Sequence, residues 1–334
     1  MSDAAIVRAW YKGAAWLWLL RPLEWLYRGV VAIRRWCYER GVISRYRAPV
    51  PVVVIGNVTV GGTGKTPVVI AIAQALRQTG RSVGVVSRGY GGRSERYPLV
   101  VEATTAAIEC GDEPLLIRQT VDCPVVVDPD RPAAVRRLLS DFSVDVVISD
   151  DGLQHYALAR DFELVLVDGQ RGLGNGWCLP AGPLREPSQR LESADAVIYR
   201  DGVDSDSAFF YAHEGLFRLS DGAHTALNPK TLGADVYAIA GIGQPEQFFS
   251  TLEQAGFSLQ RKVFPDHHQY TVADFGAMAD LPIIMTAKDA VKCAPFAGAD
   301  AWQLPINAVL PSAVIDAIVE RLPDVNSGTA RPET

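Results

Sequence analysis

The sequence has few cysteines and no CxxC pair: Cys37, Cys110, Cys123, Cys178 and Cys293 are scattered along its 334 residues. An odd count without metal-ligand spacing argues against a disulfide framework or a zinc site and fits reduced, packed thiols in a cytoplasm. There is no basic excess either; a formal net charge of −6 is the wrong sign for a general nucleic-acid binder. Near the start no apolar run is long enough to cross a bilayer. The longest charge-free stretch there, Gly13–Leu20, falls far short of the ~20 residues required. No small-residue cleavage site follows, so this segment does not read as a signal peptide. Internal repeats and low-complexity tracts are absent, and nothing points to a protein partner.

What is present is unevenly distributed. Residues 1–48 hold nine Lys/Arg against three Asp/Glu, whereas residues 49–334 hold 23 against 35. Five of the seven tryptophans, Trp10, Trp16, Trp18, Trp25 and Trp36, fall among those early arginines and lysines. Trp and Leu side chains can rest at the boundary between headgroups and acyl chains while Arg and Lys reach anionic phosphates. Residues 1–48 are therefore expected to form amphipathic helices of about 4–20 and 23–40, interrupted at Pro22, that lie on a membrane surface. Trp10, Trp16, Trp18, Arg21 and Trp25 are the expected contacts.

Val52-Val53-Val54-Ile55 reads as a central strand covered on both faces. It runs into Gly61-Gly62-Thr63-Gly64-Lys65-Thr66-Pro67, then a helical stretch to about Gln78 stopped by Gly80, then a strand over Ser82–Ser87. In such a loop the glycines let backbone N–H groups turn inward around β- and γ-phosphates at the positive end of the helix. Lys65 would bridge the phosphates and Thr66 would ligate Mg²⁺. The strict pattern wants glycine five residues before Gly64, where this chain has Thr59. A second buried run, Val144–Ser149, ends in Asp150-Asp151, which puts a carboxylate where a magnesium-shell aspartate belongs in this class.

Further blocks follow in order: Ser87-Arg88-Gly89-Tyr90-Gly91, Gly111-Asp112-Glu113-Pro114, Asp150-Asp151-Gly152-Leu153-Gln154-His155 and Gly174-Asn175-Gly176. Then come Leu179–Pro187 (LPAGPLREP), Gly241–Pro245 (GIGQP), Phe264–His268 (FPDHH) and Thr286–Lys292 (TAKDAVK). This ordered set resembles the tetraacyldisaccharide 4′-kinase family, the lipid A 4′-kinases of Gram-negative bacteria, from the Trp-rich start to about residue 310. Ala287 stands where that family is expected to carry an acidic residue. The resemblance implies transfer of the ATP γ-phosphate to the 4′-hydroxyl of a tetraacylated disaccharide 1-phosphate, yielding the 1,4′-bisphosphorylated product. It implies peripheral attachment at the cytoplasmic face of the inner membrane, with ATP and Mg²⁺ required. It also points to Asp112 as the base that takes the hydroxyl proton, assisted by His267, with His268 as the competing neighbour. Carboxylate–imidazole assistance of this kind is sensible for a sugar hydroxyl, a poor nucleophile near neutral pH.

Glu113 and Glu186 would join the magnesium shell beside Asp150 and Asp151, or hold Arg88 and Arg185 in place. Arg88, Arg131 and Arg185 are candidates to offset phosphate charge, for which a guanidinium fork is suited. Tyr90 would stack or hydrogen-bond near the nucleotide. Thr286–Asp289 has the letters of a base-recognition loop and equally those of a capped helix start. The expected fold is α/β: a P-loop three-layer core over 49–218, a polar connection over 219–232, a smaller α/β domain over 233–326 and a tail over 327–334. Strands Val236–Ala240 and Ile283–Thr286 and helices near Pro245–Gln254 and 311–321 would build the smaller domain, and a catalytic cleft would lie between the two. A rival reading is a membrane-recruited P-loop switch that transfers phosphate only to water; it has no need of an Asp112–His267 pair.

Overall fold

The computed structural model describes residues 3–61, 64–202, 204, 206–276, 278, 280–294 and 296–323. Gly62 and Thr63 of the expected phosphate loop, and the tail 327–334, lie outside them. The chain folds into two compact units that cut across the linear boundaries. The first contains residues 1–88, 128–210 and 310–334, and the second residues 89–127 and 211–309.

In the first unit six parallel strands lie side by side in the order Ala208–Ala212, Ala196–Arg200, Phe162–Asp168, Val52–Gly56, Val146–Asp150 and Val83–Ser87. Every residue of Val52–Gly56 is buried, as its uninterrupted apolar run requires of a strand covered on both faces. Its register sets Ile55 opposite Asp150, so the glycine loop and the Asp-Asp pair leave neighbouring strands at the same end. The helix Lys65–Gln78 follows the loop and buries Val68, Val69, Ile72 and Leu76. The helix Ser312–Arg321, expected in the smaller domain, belongs to the first unit and packs on that same helix, burying Val314 and Ile318.

The N-terminal segment departs from its expected break point. Its elements are a helix Asp3–Lys12, a 3₁₀ turn Ala15–Leu20 and a helix Arg21–Glu39. Gly13, in the left-handed region at φ +75°, makes the break. Pro22 lies in the first turn of the longer helix, where its missing N–H removes no helical bond, so it starts a helix instead of interrupting one. Two expected membrane contacts also turn inward. Trp10 is buried and its indole N–H donates to Pro180 O at 3.1 Å. Arg21 sits 3.1 Å from the buried Glu24 carboxylate, with its guanidinium 4.4 Å from the Trp177 ring centroid. Trp16, Trp18 and Trp25 stay exposed, as do Leu19, Leu23, Leu26, Val30, Ile33 and Trp36. Leu23, Leu26, Val30 and Ile33 share one face of the longer helix, away from the buried Glu24. No helix among the described residues is long and apolar enough to cross a membrane.

The second unit is assembled from two separate stretches. Residues 89–127 contribute an antiparallel pair, Leu99–Val101 with Val125–Val127, and the helix Asp112–Thr120. Residues 211–309 form a six-stranded sheet in the order His224–Thr225, Leu216–Arg218, Ala301–Leu304, Ile283–Thr286, Asp235–Ala240, Ser258–Val263. Its last four strands are mutually parallel, and the first two are antiparallel. Helix Pro245–Gln254 buries Phe248, Phe249 and Leu252 in one core cluster of this sheet, and helix Ala287–Cys293 buries Ala290 and Cys293 in the other. Ala287–Cys293 also packs against Asp112–Thr120, joining the unit's two stretches of chain.

Candidate functional site

Chemistry-bearing residues gather at one place in each unit. In the first, Gly64 takes φ +75°, a conformation glycine adopts without strain, and Lys65 opens the following helix. The Lys65 ammonium donates to Asn57 Oδ1 at 3.1 Å and lies 3.5 Å from Asp151 Oδ1. Asn57 is fully buried and held by its own amide donating to Thr59 O at 2.9 Å. On its other side the Asp151 carboxylate accepts from Arg185 Nη1 at 3.2 Å. Burial alone would raise the Asp151 pKa, but Lys65 and Arg185 outweigh it and hold the group below the usual carboxylate range. Arg185 reaches this position because Val60 N–H donates to Pro183 O and Arg185 N–H to Val58 O, stitching the LPAGPLREP segment to the strand exit. Asp151 itself is strained into the left-handed region at φ +45°. At the next residue, Gly152, a Cβ would fall 2.4 Å from Ser149 Oγ, so any larger residue would have to displace that side chain.

Asp150 closes its strand, buried, with Ser87 Oγ donating to its Oδ2 at 2.9 Å. Thr66 is buried in the first turn of the phosphate-loop helix. Arg88 is exposed. Arg131, expected to offset phosphate charge, is buried and spends its guanidinium on the carbonyls of Asp128 at 2.9 Å and Asp150 at 3.0 Å. Burial lowers its pKa to about 10, leaving it charged, so it braces the strand ends from inside. Glu186 likewise has a structural post in place of the expected magnesium contact. It is buried, takes the Tyr156 hydroxyl on one oxygen and Gln154 Nε2 at 2.8 Å on the other, and lies 3.6 Å from Arg190. His155 is pushed down to about 4 by burial together with Arg131 and Arg88, which keeps it neutral near pH 7.

The second cluster lies wholly in the second unit. Asp112 is the first residue of its helix, preceded by Gly111 at φ +90°, where a Cβ would fall 2.6 Å from Tyr90 O. The Asp112 carboxylate, 3% exposed, accepts from His267 Nδ1 at 3.0 and 3.1 Å. His267 is held in the left-handed region at φ +59°, with Tyr90 packed edge-on at 5.0 Å between centroids. Its Nε2 faces Lys288 Nζ at 3.5 Å. In the neutral ring a proton on Nδ1, toward Asp112, leaves Nε2 as the acceptor, the form that suits a neighbouring ammonium. The hydrogen bond to Asp112 raises the His267 pKa above its ordinary value against the opposing effects of burial and Lys288. For Asp112, burial acts upward, but His267, Lys288 and Lys292 hold it below the usual carboxylate range.

The neighbour His268 faces elsewhere: it stacks on Phe264 and meets Asp274 at 3.4 Å. Glu113 pairs with Lys288 at 3.0 Å. Thr286 is the N-cap of helix Ala287–Cys293, its hydroxyl accepting from Asp289 N–H, so those letters spell a helix start. Among the described residues no three His, Cys, Asp or Glu side chains gather to hold a metal, so the five expected ligands do not form a ready cage. Asn57, Lys288 and Lys292 were not singled out from the sequence. For Lys288 and Lys292 the available signal was their four-residue spacing, which on a helix gives one shared face.

A glycine loop leaving a central parallel strand, a lysine opening the next helix and an Asp-Asp pair ending the adjacent strand define the P-loop nucleotide-binding class. Within that class the chain belongs to the tetraacyldisaccharide-1-P 4′-kinase (LpxK) family, whose model matches residues 16–323. A tetraacyldisaccharide 4′-kinase from Pseudomonas aeruginosa is 49% identical over 324 residues, 95% of this chain and 97% of that one. One from Azotobacter vinelandii is 50% identical over 314 residues, 93% and 94% of the two chains. The solved structure of LpxK from Aquifex aeolicus in complex with ATP matches with a TM-score of 0.77 and 27% identity, covering 92% of this chain and 99% of that chain. The chain is thus an enzyme of the kinase class, and the rival reading as a switch is not favoured.

Proposed function

We propose that this protein transfers the γ-phosphate of ATP to the 4′-hydroxyl of tetraacyldisaccharide 1-phosphate, a step of lipid A biosynthesis, at the cytoplasmic face of the inner membrane. One observation carries the reading beyond nucleotide binding: the buried Asp112 carboxylate paired with His267. A hydrolytic switch needs to orient only water, whereas a sugar hydroxyl needs a group to receive its proton as the new O–P bond forms.

Lys65 lies against Asn57 and Asp151, from which it can exchange onto phosphate oxygens. Arg185 shares Asp151 and is the second cation suited to the transferring phosphoryl group. The hard oxygen donors Thr66, Asp150 and Asp151 fit Mg²⁺, which binds proteins through one or two carboxylates and takes its remaining ligands from phosphates and water. When bound, the ion neutralises charge that builds across the β- and γ-phosphates. The Asp112–His267 pair takes the 4′-hydroxyl proton, the carboxylate stabilising the imidazolium that results. The acceptor's acyl chains remain in the bilayer while the enzyme rests on it through Trp16, Trp18, Trp25 and the apolar face of helix Arg21–Glu39, which are exposed.

The test is γ-³²P-ATP with purified tetraacyldisaccharide 1-phosphate. Label should move into the lipid, and Asp112→Asn should slow that transfer by ~10²–10⁴-fold, leaving a measurable residue, while ATP still binds. Release of free phosphate alone would refute the reading.

A further inference from the structure

Lys292 is 4% exposed, in a chain whose other lysines have access to water or lie at the phosphate loop. Its ammonium sits 3.0 Å from Asp289 Oδ1 and 3.5 Å from Asp112 Oδ2, and 5.1 Å from the Tyr270 ring centroid. Asp289 is 0% exposed and is itself fixed, Oδ2 accepting from Gly241 N–H at 2.9 Å and from Thr286 Oγ1 at 2.7 Å. A buried ammonium is costly unless paired, and here the pairing runs in one line: Asp289, Lys292, Asp112, His267. One helical turn earlier Lys288 serves the outer side of the same site, where it meets Glu113, Asp266 and His267 Nε2. The two lysines therefore divide the work. Lys288, 18% exposed, spends its charge chiefly on Glu113 and Asp266 and comes no nearer than 4.0 Å to Asp112 Oδ2, while Lys292, 4% exposed, reaches that oxygen at 3.5 Å from the buried side.

We infer that Lys292, anchored by Asp289, is a positioning residue for the proposed phosphoryl transfer: it fixes the Asp112 carboxylate so that both its oxygens meet His267 Nδ1. This rests on the reading of Asp112 and His267 as the proton-accepting pair. The anchor explains why Asp289 is buried as a charge, and why a second lysine follows Lys288 at a spacing that puts both on the face turned to helix Asp112–Thr120. A triad serving only to glue the two helices together would lower stability without changing the turnover of enzyme that remains folded.

The experiment measures kcat and KM separately, with ATP and detergent-dispersed tetraacyldisaccharide 1-phosphate, on full-length enzyme shown to be folded by circular dichroism. Lys292→Met, which keeps the volume and removes the charge, should lower kcat by at least about tenfold and leave both KM values within about threefold. In an Asp112→Asn background the same substitution should cost no more than about twofold, because its route to the reaction is already gone. A folded Lys292→Met enzyme with wild-type kcat, or one whose full loss recurs in the Asp112→Asn background, overturns the inference. If Lys292→Met does not fold, Asp289→Asn takes its place: kcat should fall several-fold at unchanged KM, and wild-type kcat overturns the inference. Wild-type kcat in Asp112→Asn alone would refute the assignment of the Asp112–His267 proton-accepting pair, a failure distinguishable from that of Lys292.

Discussion

Replacing Leu26, Val30 and Ile33 together with glutamine tests whether the exposed face of helix Arg21–Glu39 is a membrane contact. These side chains are 67%, 58% and 64% exposed, and they lie on the face turned away from the buried Glu24. Glutamine is a good helix former, so the helix itself should persist. Complete burial of such a side chain stabilises by roughly 1.5–3 kcal/mol; for three that are about two-thirds exposed, the loss on leaving the bilayer is about 3–6 kcal/mol. At about 1.4 kcal/mol per decade, this is a drop of about 10²–10⁴ in partitioning to vesicles. Sedimentation with anionic phospholipid vesicles at moderate salt measures it directly, with turnover on micelle-dispersed acceptor as the control for folding. Partitioning within threefold of wild type would refute both the face and the arithmetic, and would return the N-terminal tryptophans to an ordinary role in packing.

Three further outcomes follow from the site. His267 has a raised pKa, so its charged pairing with Asp112 contributes stability that is full below its ordinary value of about 6.5 and is lost as pH rises through the raised value. The depressed Asp112 supplies the opposite edge, its contribution being lost as pH falls through the lowered value. A neutral ring is the form that accepts a proton, so kcat should rise over the pH range in which thermal stability from the pair declines; parallel pH series of initial rates and melting temperatures check this. His267→Gln should cost turnover by at least ~10²-fold, whereas His268→Gln should act mainly through a lower melting temperature, since its ring packs on Phe264 and Tyr270. Glu186→Gln should destabilise the folded state by roughly 3 kcal/mol, as expected when one partner of a buried ion pair is removed, read by chemical denaturation with ATP absent.

The parts legible in the sequence are those whose signals are contiguous. A five-residue apolar strand, a glycine loop and an amphipathic helix follow one another within residues 52–78, and local sterics and burial dictate all three. Pairings between distant segments were less legible. Residues 89–127 look like one more turn of an alternating α/β core, yet they fall in the second unit, where helix Asp112–Thr120 packs on Ala287–Cys293. Asp112 and His267, 155 residues apart, could be named together from a resemblance, yet no spacing in the chain brings them together. The misread residues share one physical cause: a charge or an indole in a polar-looking segment does not announce which way it faces. Arg21, Arg131 and Glu186 turn inward because a buried opposite charge or strand-end carbonyls meet them there, and Trp10 because Pro180 offers its indole an acceptor. Lys292 was overlooked for the converse reason, since two lysines four residues apart ordinarily describe a wetted helix face.

The proposed seating of the exposed stripe of helix Arg21–Glu39 on a bilayer would have a kinetic consequence of its own. An enzyme seated on a bilayer through a fixed helix face searches for its acceptor in two dimensions, and what it senses is molecules per unit area rather than molecules per litre. Diluting the acceptor with inert phospholipid at constant bulk amount should then slow turnover, while diluting the whole suspension with buffer, once the enzyme is bound, should not. On that proposal the composition of the surface would be the enzyme's effective substrate concentration.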